Sequence, residues 1–189
     1  MTLPASIELL SARIDAGDSF SYLFFWGHRD PPGGGVSRSC FSQWYPARFE
    51  VDGVAYPSAE HFMMAEKARL FADEASRLKI LQAATPNDAK SLGRRVAGYD
   101  ESAWLAARFD IVVRGNLAKF QADPRLRAYL LGTTPQILVE ASPVDPVWGI
   151  GLAADDPRCA DPRRWEGLNL LGFALMIVRE RLAGSSGES

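Results

Sequence analysis

Residues 44–71 read WYPARFEVDGVAYPSAEHFMMAEKARLF, a turn-centred stretch that runs into a helix-like one. CFSQWYPARFEVDGVAYP carries aromatic and aliphatic residues around an Asp52-Gly53 turn, so a small hairpin is expected here. Pro57-Ser58 then gives way to AEHFMMAEKARLF. The Ser58 hydroxyl can cap a helix over this run, with Glu60 in its first turn, where negative charge is favoured. Separations of four and three residues bring Glu60, Met64 and Lys67 near one face, an acid and a base around an apolar wall. Such a face can line a pocket or belong to an ordinary, partly exposed helix, and both readings stand at this point.

Outward from this stretch the pattern stays helical. A second helix is expected over Glu74 to Ala84, and Thr85-Pro86-Asn87-Asp88 opens a third, because Thr caps, Pro fits the first helical position and Asp follows three residues after the cap. Gly93 and Gly98 punctuate a basic stretch containing Arg94 and Arg95. Asp100 caps ESAWLAARFDIVVRGNLAKF, with Trp104, Ile111, Val112 and Phe120 as its recurring apolar positions. Asp123-Pro124 starts a shorter helix ending near Gly132, QILVEAS reads as extended, and the prolines and glycines of SPVDPVWGIGLAADDP exclude a continuous helix. GLNLLGFALMIVRERL returns to helix, with Leu168, Leu171, Leu175 and Val178 available for packing. Upstream, a short helix is expected around Ile7 to Ile14, and Pro31, Pro32 and the glycines at 33–35 read as a loop. These elements make a mainly α fold with a small β element. One domain over residues 18–182 is expected, with a peripheral segment 1–17 and a flexible tail 183–189.

Composition narrows the function classes. The 189 residues are 47% hydrophobic and 23% charged, enough apolar material for a continuous core. No run approaches the length of an apolar membrane span, and the start MTLPASIELLSARIDAGD lacks a signal pattern, so a cytoplasmic protein without a membrane partner is expected. A net charge of -2 predicts no strongly basic nucleic-acid surface, although a local basic pocket can hold phosphate. Cys40 and Cys159 make no disulfide framework, and with only His28 and His61 the spacing of a metal site is missing, so neither metal nor cofactor is expected. GxGxxG and P-loop patterns are absent, which disfavours an ordinary dehydrogenase or ATPase.

Chemistry-bearing residues recur in EASPVDPVWGIG, 140–151. Its carboxylates include Asp145, able to orient water or steady positive charge, and Trp148 can stack on a base or sugar. Loop capping by Asp145 and core packing by Trp148 are the plainer readings. Arg114 and Lys119 add cations on the long helix, and beside Glu60 stands His61, a residue type that ordinarily titrates near neutrality, with packing or a helix-end hydrogen bond as its plainer reading.

Taken together, WYPARFEVDGVAYPSAEHFMMAEKARLF, LVEASPVDPVWGIGL and GLNLLGFALMIVRERL resemble the NADAR (YbiA-like) family, in order and over about four-fifths of the chain. The resemblance implies a compact, mainly helical N-glycosidase. Its substrate would be a phosphorylated base-riboside, such as an aminopyrimidine intermediate of riboflavin biosynthesis, or an ADP-ribosylated nucleobase, with modified nucleic acid as a partner. It transfers the important glutamate of YPSAEH to Glu60, a pocket aromatic to Trp148, the basic position after the glutamate helix to Lys67, and the late NxLG pattern to Asn169 and Gly172. Asp145 follows as the second catalytic carboxylate, and Arg114 and Lys119 as phosphate contacts. Gln43-Trp44 stands where the family often has an Asn-aromatic pair, which puts Trp44 at the leaving base or ribose in altered form. The alternative is a nucleotide-binding or ADP-ribose-binding module without turnover, which would bind and release no product.

Overall fold

The computed structural model describes residues 4–29 and 33–184. Pro31 and Pro32 of the expected loop, and residues 185–189 of the expected tail, lie outside the described residues. Seven α-helices occur among the described residues: α1 Ile7–Asp15, α2 Ala59–Leu70, α3 Glu74–Leu81, α4 Pro86–Gly93, α5 Glu101–Ala122, α6 Pro124–Leu131 and α7 Leu170–Gly184. Four short strands accompany them: β1 Tyr22–Phe25, β2 Phe49–Val51, β3 Val54–Tyr56 and β4 Ile137–Glu140. The mainly α architecture with a small β element is therefore observed. No helix among the described residues is long and apolar enough to cross a membrane.

Packing divides the chain into two compact units, one running Ser42–Pro124 and the other formed by the chain up to Phe41 together with that from Arg125 onward. In the central unit β2 and β3 pair antiparallel, Phe49 opposite Tyr56 and Val51 opposite Val54. Asp52 and Gly53 both take positive φ, 52° and 77°, the backbone that a two-residue hairpin turn requires. Helix α2 packs on α3, α4 and α5, so nearly all of it is buried: Ala59 through Glu66 and then Ala68. Its residues do not divide into a wet and a dry stripe, as expected for a helix enclosed on several sides. In α5, Gly115 makes room for this packing, since a Cβ there would lie 2.4 Å from the Phe62 ring.

The caps follow the sequence. Ser58 Oγ accepts from the His61 amide at 3.4 Å, Thr85 Oγ1 from Asp88 at 3.1 Å and Asp100 Oδ1 from Ala103 at 2.7 Å, each satisfying one amide left unpaired in a first helical turn. Helix α3 ends at Leu81, three residues before its expected end at Ala84.

In the other unit β1 and β4 pair in parallel, from Tyr22 beside Ile137 to Phe25 beside Glu140, and α7 packs on β4. Leu171, Phe173, Leu175, Met176 and Val178 are all buried, so α7 is covered on most of its circumference. Gly172 permits the contact, because a Cβ would fall 2.1 Å from the Leu138 carbonyl oxygen, a backbone atom that cannot turn aside. Leu168, expected among the packing residues of this helix, precedes it and is exposed. Its amide bonds the Pro146 carbonyl, which fixes it in the loop rather than on the helix face.

Candidate functional site

Glu60 is the second residue of α2, where the helix has no carbonyl of its own for the backbone amide. The Gln43 carbonyl takes that amide at 2.9 Å. The side chain is buried, 2% exposed, at the positive end of the helix dipole. Gln43 is buried as well, and its Oε1 accepts from Asn116 Nδ2 at 2.8 Å. The same Nδ2 donates to the Val112 carbonyl at 2.9 Å, which fixes the orientation of the Asn116 amide. Asn116 Oδ1 is consequently left buried without a hydrogen bond among the described residues. A buried acceptor of this kind costs about 1–3 kcal/mol unless a donor reaches it. Asn116 was not singled out from sequence; an Asn inside a long apolar helix, where its side chain competes with the backbone, is the signal that marks it.

The expected cations separate into different environments. Lys67 is half-buried, with Nζ 4.4 Å from the Tyr99 ring centre and 5.4 Å from that of Trp104. It has no carboxylate partner among the described residues, and burial lowers its pKa below the ordinary lysine value. It lies about two turns beyond Glu60 on the same face of α2. Arg114 instead bonds Glu66 Oε2 at 3.0 Å and pairs with Asp52 of the hairpin turn, while its guanidinium lies 5.6 Å from the Phe62 ring centre. Two carboxylates thus already meet its charge and tie the hairpin to α2 and α5. Lys119 is buried, 1% exposed, and donates to the Ser42 carbonyl at 2.9 Å. Trp44 is partly buried, with Lys90 Nζ 5.8 Å from its ring centre.

His61 is buried between two hydrogen bonds. Its Nε2 is 3.2 Å from the Ala83 carbonyl and its Nδ1 is 2.7 Å from Ser58 Oγ. A carbonyl only accepts, so Nε2 carries the proton, and Nδ1 accepts from the serine hydroxyl. This joins the start of α2 to the chain entering α4 and gives His61 a packing role.

In the other unit, Asp145 Oδ1 accepts from the amides of Val147 at 2.9 Å and Trp148 at 2.8 Å, so this carboxylate shapes its own loop. Trp148 is partly buried. Gly149 cannot carry a side chain: a Cβ would lie 2.8 Å from the Glu140 carbonyl oxygen. Asn169, fully buried at φ 51°, accepts from the Glu140 amide at 3.0 Å through Oδ1 and donates to the Leu138 carbonyl at 3.0 Å through Nδ2. Both ends of the amide hold β4, and Gly172 supports the same contact, so these residues position the strand end that leads into the 140–151 loop. Among the described residues no three His, Cys, Asp or Glu side chains gather as a metal-holding group.

The chain is also similar to known proteins. The chain is 42% identical over 164 residues to a protein of Acanthamoeba polyphaga mimivirus named N-glycosidase R617, covering 84% of this chain and 95% of the relative. It is 33% identical over 143 residues to N-glycosidase YbiA of Escherichia coli, covering 76% of this chain and 81% of YbiA. Protein irg-1 of Caenorhabditis elegans is 36% identical over 158 residues, covering 75% of this chain and 74% of that protein. The NMR structure of E. coli YbiA superposes with a TM-score of 0.70 at 27% identity, covering 99% of this chain and 97% of that one. With the NADAR domain matched over residues 24–183, a span that includes both Glu60 and the 140–151 loop, the chain belongs to the NADAR domain family.

Proposed function

We propose that this protein is an N-glycosidase that hydrolyses the C1′–N bond of a phosphorylated base-riboside or of an ADP-ribosylated nucleobase. One observation supports this reading most: the buried carboxylate of Glu60 is placed through Gln43, whose side chain is bonded to Asn116, and Asn116 keeps a buried acceptor in reserve. Aminopyrimidines and guanine carry N–H donors that suit such an acceptor. The names of the mimiviral and bacterial relatives point to the same reaction type.

In the proposed reaction the C1′–N electron pair leaves with the base nitrogen, and the oxygen of water bonds C1′. The proton released by water goes to the departing nitrogen, directly or by way of a carboxylate. Glu60 faces the positive charge that gathers on the sugar as the bond breaks, the kind of group that lowers such a barrier most. Asp145 is proposed as the second carboxylate and Trp148 as a ring against sugar or base. Lys67, the expected cation that meets no carboxylate among the described residues, is proposed for phosphate; Trp44 is proposed for the base. Arg114, Lys119 and Asn169 act through the architecture they hold.

Mass-resolved turnover of phosphorylated aminopyrimidine ribosides and of ADP-ribosyl-guanine oligonucleotides, by wild type and Glu60→Gln, tests the reading. Glu60-dependent release of free base from the first supports a metabolite N-glycosidase. Glu60-dependent release of ADP-ribose from the second supports nucleobase repair. Binding of either compound with no product would overturn the enzyme reading in favour of a nucleotide-binding module.

A further inference from the structure

Some cations of the central unit are met by carboxylates and others are not. Arg69, Arg77 and Arg114 are paired with Glu66, with Glu74, and with Glu66 and Asp52. Lys90, Arg94 and Arg95, at and just beyond the C-terminal half of α4, have no carboxylate partner among the described residues. Arg94 and Arg95 are exposed and Lys90 is partly so. Arg95 Nε donates to the Ser91 carbonyl at 3.3 Å, the only side-chain bond of the two arginines among the described residues. Asp88, the acid of the same helix, is held at the opposite end by the Thr85 hydroxyl at 2.6 Å. Lys90 instead places Nζ over the Trp44 ring, and Trp44 follows Gln43, the residue whose carbonyl holds the Glu60 amide.

A run of unpaired cations beside a partly open aromatic ring is what a single-stranded nucleic acid needs: charge for its backbone and a face on which a base stacks. The cations run from the last turn of α4 into the turn that follows it, Arg94 and Arg95 exposed and Lys90 partly so. A ligand enclosed in a pocket would be met by buried donors instead. We propose that Trp44, Lys90, Arg94 and Arg95 form a docking strip for the sugar-phosphate backbone of single-stranded nucleic acid, leading toward Glu60. The strip rests on the glycosidase reading only for the purpose it serves; its existence is tested separately.

The test measures binding of a fluorescein-labelled, unmodified 12-nucleotide strand by anisotropy at several salt concentrations. The proteins are wild type, Lys90→Gln/Arg94→Gln/Arg95→Gln and, as a control of like chemistry outside the strip, Arg77→Gln. Circular dichroism checks that each variant folds. The strip requires at least tenfold weaker binding by the triple variant, a salt slope reduced by about 2 for three lost single-strand contacts, and wild-type behaviour from Arg77→Gln. Equal binding by triple variant and wild type overturns it, as does equal weakening by Arg77→Gln. ADP-ribose binding weakened as much as strand binding also overturns it, because the cations then belong to a small-nucleotide pocket. A wild type that cleaves a mononucleotide substrate but binds no strand sinks the strip alone. Strip-dependent strand binding with no turnover of any substrate sinks the glycosidase alone.

Discussion

Glu60 and Asp145 are the two carboxylates proposed for catalysis, and the protein fixes them in opposite ways. Glu60 is placed through its backbone, the amide against Gln43 O, inside the first turn of an enclosed helix. Asp145 is placed by the carboxylate itself, whose Oδ1 takes two loop amides. A carboxylate that is also its own anchor has divided duties. Backbone anchoring and burial in the first turn, at the positive end of the helix dipole, favour Glu60 as the principal catalytic group.

The sharpest way to break this contrast is kinetic. Glu60→Gln keeps shape and backbone anchor while removing the charge, and is expected to lower kcat by roughly 10³-fold, within the span typical of a lost catalytic acid-base group, with an unchanged circular dichroism spectrum. Comparable loss in Asp145→Asn, with Glu60→Gln still active, would reverse the assignment.

Next in size is Asn169→Ala. It strips the buried Leu138 carbonyl and Glu140 amide of their partners, at about 3 kcal/mol for the two groups together. Thermal unfolding should show a clear fall in Tm. Loss of activity without any fall would instead mean that Asn169 contacts substrate directly.

Asp145 yields a smaller and two-part effect. The amide of Asp145→Asn still offers Oδ1 to Val147 and Trp148, so stability should hold while kcat falls on the order of 10-fold, the worth of one charge-assisted hydrogen bond. Asp145→Ala removes the anchor too and should add about 1 kcal/mol of destabilisation. Equal Tm values for the two variants would show that the loop does not depend on the side chain.

The same contrast explains what the sequence disclosed. Ser58, Thr85, Asp100 and Asp52-Gly53 act on neighbours within a few residues, so the hairpin and the helix starts were legible from local chemistry. Glu60 was legible as a candidate through the YPSAEH resemblance and its place in a first turn. The parallel pairing of β1 with β4 was not, because no local pattern selects a partner so distant in the chain. Arg114 and Lys119 were legible as cations but not as occupied ones: Arg114 is met by Asp52 and Glu66, and Lys119 by the Ser42 carbonyl, partners that folding alone supplies. Asn169 matched a pattern tied to the pocket, yet its amide is spent on β4 for the same reason.

The finest test concerns His61, the neighbour of Glu60 and, unlike it, a residue held by both of its ring nitrogens. Burial, the largest cause, lowers its pKa below the ordinary 6.5, against weaker raising effects of the Ala83 hydrogen bond and Asp88. An unfolded chain then takes up the proton more readily than the folded one. The stabilising contribution is complete above pH 6.5 and is lost as pH falls through the lower folded value, since protonation needs Nδ1, which now accepts from Ser58. Tm measured from pH 8 downward should therefore drop more in wild type than in His61→Gln once the pH passes below 6.5. Gln keeps a donor for the Ala83 carbonyl and has no proton to gain, so parallel profiles for the two proteins would remove His61 from the pH dependence of the α2 start.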